Sequence, residues 1–297
     1  MENSKLPIYS PRMERENLTL SDGRNFEFLR NGIDSDSYVI LHAGTIQDIS
    51  GWQIWLDYFA DNGIAALAFG RSGYAASTKK PGRITIDVAN DISELANSLA
   101  IKRMVNFGLS GGGQHAIACG LDSRSVGVVT SGSLAPLVEM GENFYTGMQQ
   151  ADLDEWEDAR RDINDLINRF KGWMTQDAGD LLSMPEISEN DQKAQSTKSW
   201  KVLLDSVGYT MEKGFDWVAD DYSSYLEPWG FDPRDVKVPV VIWQGGLDQN
   251  VPPQHGKWLG ANLKSSTLHF IEDESHIGLF VNYEVEIMES IISLLRN

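Results

Sequence analysis

The sequence predicts an α/β fold: a mostly parallel central sheet flanked by helices, with a helical cap insertion in its middle third. Three observations predict it. Short apolar runs recur without polar alternation, the mark of strands covered on both faces. Stretches with apolar residues three and four apart separate them, so strand and helix alternate along the chain. That alternation stops after about residue 133 and resumes after about residue 232.

Each element follows in order. Residues 17–20 and 25–28 flank Ser21-Asp22-Gly23, a turn signal that predicts a leading hairpin. The buried-strand runs lie at 38–41, 64–69, 104–107, 126–129, 238–243 and 267–271. Helical spacing is clear over 86–99, where Val88, Ile92, Leu95 and Leu99 share a face. It recurs over 280–295, where Val281, Val285, Ile287, Met288, Ile291, Ile292 and Leu295 make a stripe. Between 134 and 227 lie helix-like, acidic, tryptophan-bearing segments with no clear strand. Residues 1–132 and 232–297 are therefore read as the core, and 133–231 as the cap.

The whole chain narrows the function classes. At 297 residues and 41% hydrophobic content it can bury a sizeable core, and no run of about 18 apolar residues suggests a membrane span. A net charge of -18 repels phosphate backbones and anionic lipid surfaces. A small-molecule substrate is expected, with neither nucleic acid nor membrane as partner. Cys119 is the sole cysteine, which allows no internal disulfide, and Met1-Glu2-Asn3-Ser4-Lys5-Leu6-Pro7 has no basic and apolar leader pattern. A cytoplasmic setting is expected.

The chemistry centres on Phe107-Gly108-Leu109-Ser110-Gly111-Gly112-Gly113. A strand run precedes it and helix-forming residues follow, so Ser110 sits on a strand-to-helix turn of the form G-x-S-x-G. Such a turn lifts the hydroxyl above the sheet's carboxyl edge, and glycines at 108 and 112 allow the close approach it needs. The N–H of Gly111 then points toward a developing oxyanion. A phosphate cradle is disfavoured, because there is no G-x-x-x-x-G-K-[ST] pattern and the G-x-G-x-x-G spacing is wrong. A plain turn fits the pentapeptide alone equally well, so partners are needed to decide.

A serine nucleophile needs a base, and the base an orienting carboxylate. The 238–243 run leads into a loop with Asp248, and the 267–271 run into a loop with His276. Each follows a late strand, in the order Ser, Asp, His. Of the other histidines, His269 lies in a strand and His115 and His255 in helical stretches, where structural roles are expected. His42 is read as bracing the loop after the 38–41 run. In that loop the N–H of Gly44 is the second candidate oxyanion donor. Glu272, Asp273 and Glu274 are read as a solvated loop. No H-E-x-x-H or cysteine cluster suggests a metal, and no cofactor is expected.

With these residues placed, the chain resembles the α/β-hydrolase superfamily over about residues 13–132 and 232–297. His42-Ala43-Gly44 with Gly51-Trp52 is similar to the family's H-G-x loop and downstream tryptophan, and 70–77 (Gly-Arg-Ser-Gly-Tyr-Ala-Ala-Ser) to its R-P-G-Y-G-x-S loop. Ser110-Gly111-Gly112-Gly113 resembles the nucleophile turn of esterase, peptidase and haloperoxidase-like members. Ala43, Ser72 and Ala75 depart from the family's Gly, Pro and Gly. The resemblance implies a Ser110–His276–Asp248 triad that cleaves an ester, amide or lactone through an acyl-enzyme. It also implies a cap that lines the pocket with aromatic residues. As in proline iminopeptidases, cap acids could grip an amine, although an acidic run such as 151–158 is usually a solvated helix face. Carbon–carbon bond hydrolysis, a cofactor-free lyase and a non-catalytic ligand-binding protein are the alternatives on the same site.

Overall fold

Strands that alternate between faces rather than between polar and apolar residues build the sheet. The computed structural model describes residue 13 and residues 15–174 and 189–297. Its eight strands are β1 (Arg15–Thr19), β2 (Asn25–Arg30), β3 (Ser37–His42), β4 (Ala65–Phe69), β5 (Arg103–Leu109), β6 (Ser125–Ser131), β7 (Val240–Gly245) and β8 (Ser266–Ile271). Along β3, Val39 and Leu41 pack with Trp55 and Phe59, while Tyr38 and Ile40 pack with Val88, Ile92 and Leu95. In β4, Ala66 and Ala68 face the first group, and Ala65, Leu67 and Phe69 the second. Two-sided burial is why these runs carry no polar alternation.

The spatial order is β1-β2-β4-β3-β5-β6-β7-β8. The pairs β1–β2 and β2–β4 are antiparallel and all others parallel, which is the mostly parallel sheet expected. In register, His42 lies opposite Gly108, Leu109 opposite Ser131, Ser131 opposite Trp243, and Gly245 opposite Ile271. The carboxyl ends of β3 and β5 through β8 thus share one rim. Strands β4 and β5 flank β3 on opposite sides, so the strand order reverses there, where open α/β sheets form a ligand crevice.

The described α-helices are α1 (Gln53–Asp61), α2 (Thr85–Ser98), α3 (Gly113–Cys119), α4 (Leu137–Met140), α5 (Gln150–Arg161), α6 (Ile163–Trp173), α7 (Glu189–Gln195), α8 (Lys198–Lys213), α9 (Asp216–Leu226), α10 (Pro253–Asn262), α11 (His276–Asn282) and α12 (Glu284–Arg296). Helix α2 buries the predicted Val88, Ile92 and Leu95, and its Asp87 carboxylate accepts the Ile84 N–H at 2.8 Å, satisfying a terminal donor. The tail differs from the single stripe expected. It breaks at Tyr283 (φ -111°, ψ 18°) into α11 and α12, and Val285 is 46% exposed. The Asn282 side chain ends α11 by donating to Asn190 O at 3.1 Å and to the Glu274 carboxylate at 3.2 Å.

Between β6 and β7 the described residues form α4 through α9 and no strand. This segment shares apolar core with the sheet: Trp156, Phe170 and Trp217 join Ala116, Val128, Ile242 and Leu259 in one buried cluster. Residues 175–188 of the predicted cap, and the Met1–Pro7 stretch read for a leader, lie outside the described residues. No described helix is long and apolar enough to cross a membrane.

Candidate active site

Ser110 has a φ of +52°, in the left-handed region that L side chains rarely adopt. It stands between β5 and α3, where the chain turns from strand to helix within a single 3-10 turn. Close packing explains the flanking glycines. A Cβ at Gly108 would sit 2.5 Å from Gly112 O, and one at Gly112 would sit 2.5 Å from Ala43 O and His42 O. The turn is thus pressed against the loop that follows β3.

His276 opens α11, whose N-terminus is capped by Ser275 Oγ accepting the Gly278 N–H at 3.0 Å. Its Nδ1 lies 2.6 Å from Asp248 Oδ2. Asp248 is buried in the loop after β7, where Oδ1 accepts the N–H groups of Asn250 at 3.0 Å and Val251 at 2.8 Å. The carboxylate is therefore held as an acceptor, so Nδ1–H donates to it and Nε2 is left for the cavity. Burial is the largest effect and pulls the imidazole's pKa down, but the charge and hydrogen bond of Asp248, with the charge of Asp152, together leave it above its ordinary value. The ring passes close to the β6 end: a Cβ at Gly132 would meet His276 Cε1 at 2.7 Å.

Ser110, Gly111, Gly44 and His276 line one cavity of about 320 Å³. Its walls include Trp156, Trp173, Trp200, Tyr222 and Tyr225, and among the described residues its lining contains no lysine or arginine. Among the described residues two carboxyls face it, Asp152 and Glu155, three residues apart on α5. Burial pushes Asp152 up to about 6, against hydrogen bonds from Gln149 at 3.2 Å and Asn250 at 2.9 Å. Burial, helped by repulsion from Asp152, pushes Glu155 up to about 8; Tyr222 donates its hydroxyl to this carboxyl.

The acidic run is thus not simply a solvated face. Asp152, Glu155, Trp156 and Ala159 turn inward at helical spacing, while Glu157 is exposed. That spacing was the available signal. Glu274, read as solvated, is instead buried against Asn282.

The remaining histidines are held by structural contacts. His42 Nε2 bonds Asn106 Oδ1 at 3.0 Å, and burial holds its pKa down to about 3. His115 Nδ1 lies 3.3 Å from Thr85 O, His255 bridges Ala135 N and Phe144 O, and His269 stacks on Trp243. Gly44 lines the cavity beside Ser110. Its N–H, expected to face the oxyanion, donates to Gln47 Oε1 at 2.9 Å, a partner within its own loop. Gln47 was not anticipated. Among the described residues no group of three His, Cys, Asp or Glu side chains could hold a metal ion.

Neither a protein-family model nor a curated protein matches the sequence. Solved structures match it closely in shape. They include an α/β-hydrolase enzyme from a Medee basin deep-sea metagenome library, 15% identical with a TM-score of 0.70, covering 95% of this chain and 98% of that one. The chain has the α/β-hydrolase fold. The same fold relates it to an esterase from Exiguobacterium antarcticum (18% identity, TM-score 0.67, 95% and 99% covered). It also relates it to the enol-lactonase from Burkholderia xenovorans LB400 (15%, 0.68, 95% and 100%). In the α/β-hydrolase fold, a serine raised on the turn after a central strand is the position from which a nucleophile acts.

Proposed function

We propose that this protein is a serine hydrolase that cleaves an ester, lactone or amide bond of a small molecule through an acyl-enzyme. One observation carries the reading: His276, fixed by Asp248 at 2.6 Å, opens into the same cavity as a serine held at φ +52°. The fold's esterase and lactonase neighbours support acyl chemistry in particular.

In this reading His276 Nε2 takes the Ser110 proton as Oγ attacks the acyl carbonyl. The proton then passes to the leaving oxygen or nitrogen as the acyl bond breaks. Water, deprotonated by the same nitrogen, releases the acid and restores the serine. Asp248 fixes the tautomer and stabilises the imidazolium. The Gly111 N–H is one oxyanion donor. The Gly44 N–H is the other, exchanging Gln47 Oε1 for the more strongly accepting oxyanion.

Residues 133–231 act as a cap. They supply the aromatic walls and the two carboxyls, so the substrate is uncharged or cationic rather than anionic. Ser110→Ala should lose turnover of a short p-nitrophenyl ester and labelling by a fluorophosphonate. Retention of both would reject the assignment.

A further inference from the structure

Asp221, on α9, is fully buried 138 residues beyond Arg83 and 150 beyond Arg71, both of which it binds. Its Oδ2 accepts from Arg71 Nη2 at 2.6 Å, from the Tyr74 hydroxyl at 2.7 Å and from the Tyr225 hydroxyl at 3.0 Å. Oδ1 accepts from Arg71 Nε at 3.2 Å and from Arg83. Burial alone would raise this carboxyl, but the two guanidiniums overcome it and hold it ionised.

What these partners touch is the loop after β3, one residue after another. Arg71 donates to Ala43 O, and to Gly44 O at 3.4 Å. The Thr45 hydroxyl lies 2.9 Å from that of Tyr225. Tyr225 has one proton, which goes to the carboxylate, so Thr45 is the donor. Ile46 N–H donates to the Tyr74 hydroxyl at 3.1 Å. Ile46 is β-branched yet held at φ +71°, a conformation that persists only where its surroundings impose it. The Tyr225 hydroxyl also abuts the nucleophile turn: a Cβ at Gly111 would clash with it.

We propose that Asp221 is a positioning residue for the oxyanion donors, fixing the 43–46 loop opposite Ser110 through Arg71, Tyr74 and Tyr225. The proposal rests on the serine-hydrolase reading above. Two physical effects combine. The loop is held at four consecutive residues, so its N–H groups cannot swing away when charge develops on the substrate. The carbonyl that Arg71 binds belongs to the same peptide unit as the Gly44 N–H, so the cation polarises that donor toward an oxyanion. The helical segment between β6 and β7 is then part of the catalytic scaffold as well as a wall of the pocket.

The test compares Asp221→Asn and Tyr225→Phe with the parent and with Ser110→Ala on a short p-nitrophenyl ester. Affinity for a trifluoromethyl ketone, which forms a tetrahedral oxyanion adduct on serine, is measured alongside. Losing a well-placed donor lowers kcat on the order of 100-fold. Asp221→Asn should approach that figure, and Tyr225→Phe should fall by about 10-fold, with KM within about threefold in each. Affinity for the ketone should fall by the same factors as kcat, which a purely structural role would not produce. If Asp221→Asn does not fold, Tyr225→Phe decides. Folded variants with parental kcat and ketone affinity beside an inactive Ser110→Ala overturn this proposal alone. Activity surviving in Ser110→Ala removes the hydrolase reading, and the proposal with it.

Discussion

A serine at φ +52° stores strain, on the order of 1–3 kcal/mol for a residue in so sparse a region, and glycine would relieve it. Ser110→Gly should therefore be more stable than Ser110→Ala by about 1 kcal/mol in urea unfolding, with both lacking turnover. Equal midpoints would mean that the turn carries no strain. At His276, Asp248 and the cavity-facing Asp152 both raise the imidazole's pKa. The base must be neutral to accept a proton, so kcat/KM for an uncharged ester should rise with pH through a midpoint above the ordinary histidine value. Removing the Asp152 charge in Asp152→Asn should move that midpoint to lower pH; an unmoved or raised midpoint would contradict the coupling.

Among the elements, α5 combines two roles that compete energetically. Its Glu155 carboxyl is held at about 8 by burial, against an ordinary 4.5. The folded chain therefore keeps a proton that the unfolded chain releases, and stability falls as pH rises from about 4.5 to about 8. Glu155→Gln should be near neutral at pH 4.5 and stabilising on the order of 4 kcal/mol at pH 8, read as a growing gap in Tm. A gap independent of pH would show that Glu155 is solvated. The sequence pattern was informative for this helix only in part. Acid content concealed which of its residues turn inward, because composition is blind to helix rotation. The turn at Ser110 was far more legible, since a strand run, tightly spaced glycines and a helix start are all local signals. The break at Tyr283 was not, because apolar spacing continues across it.

Across the whole molecule, a net charge of -18 surrounds a cavity whose described lining has two carboxyls and no lysine or arginine. For matched esters, kcat/KM should be higher for an ammonium-bearing acyl group than for a carboxylate-bearing one, and salt should narrow the difference. A preference for the anion would place the substrate elsewhere. The parallel sheet and the rim that brings 248 beside 276 were readable from alternation and order, because they follow from local pattern and chain connectivity. The Asp221 cluster was not. Its members are spread from Arg71 to Tyr225, and nothing local in the sequence pairs them.

That separation has a consequence for biosynthesis. A ribosome makes the chain from its N-terminus, so Arg71 and Arg83 emerge long before the single carboxylate that neutralises them, 150 and 138 residues later. Until then, burying two guanidiniums is strongly unfavourable and the 43–46 loop has no anchor. A nascent polypeptide halted before residue 221 should therefore leave the 43–46 loop open to proteolysis, even though that loop has long since been translated. Ordering of that loop is thereby delayed until most of the protein has been synthesised.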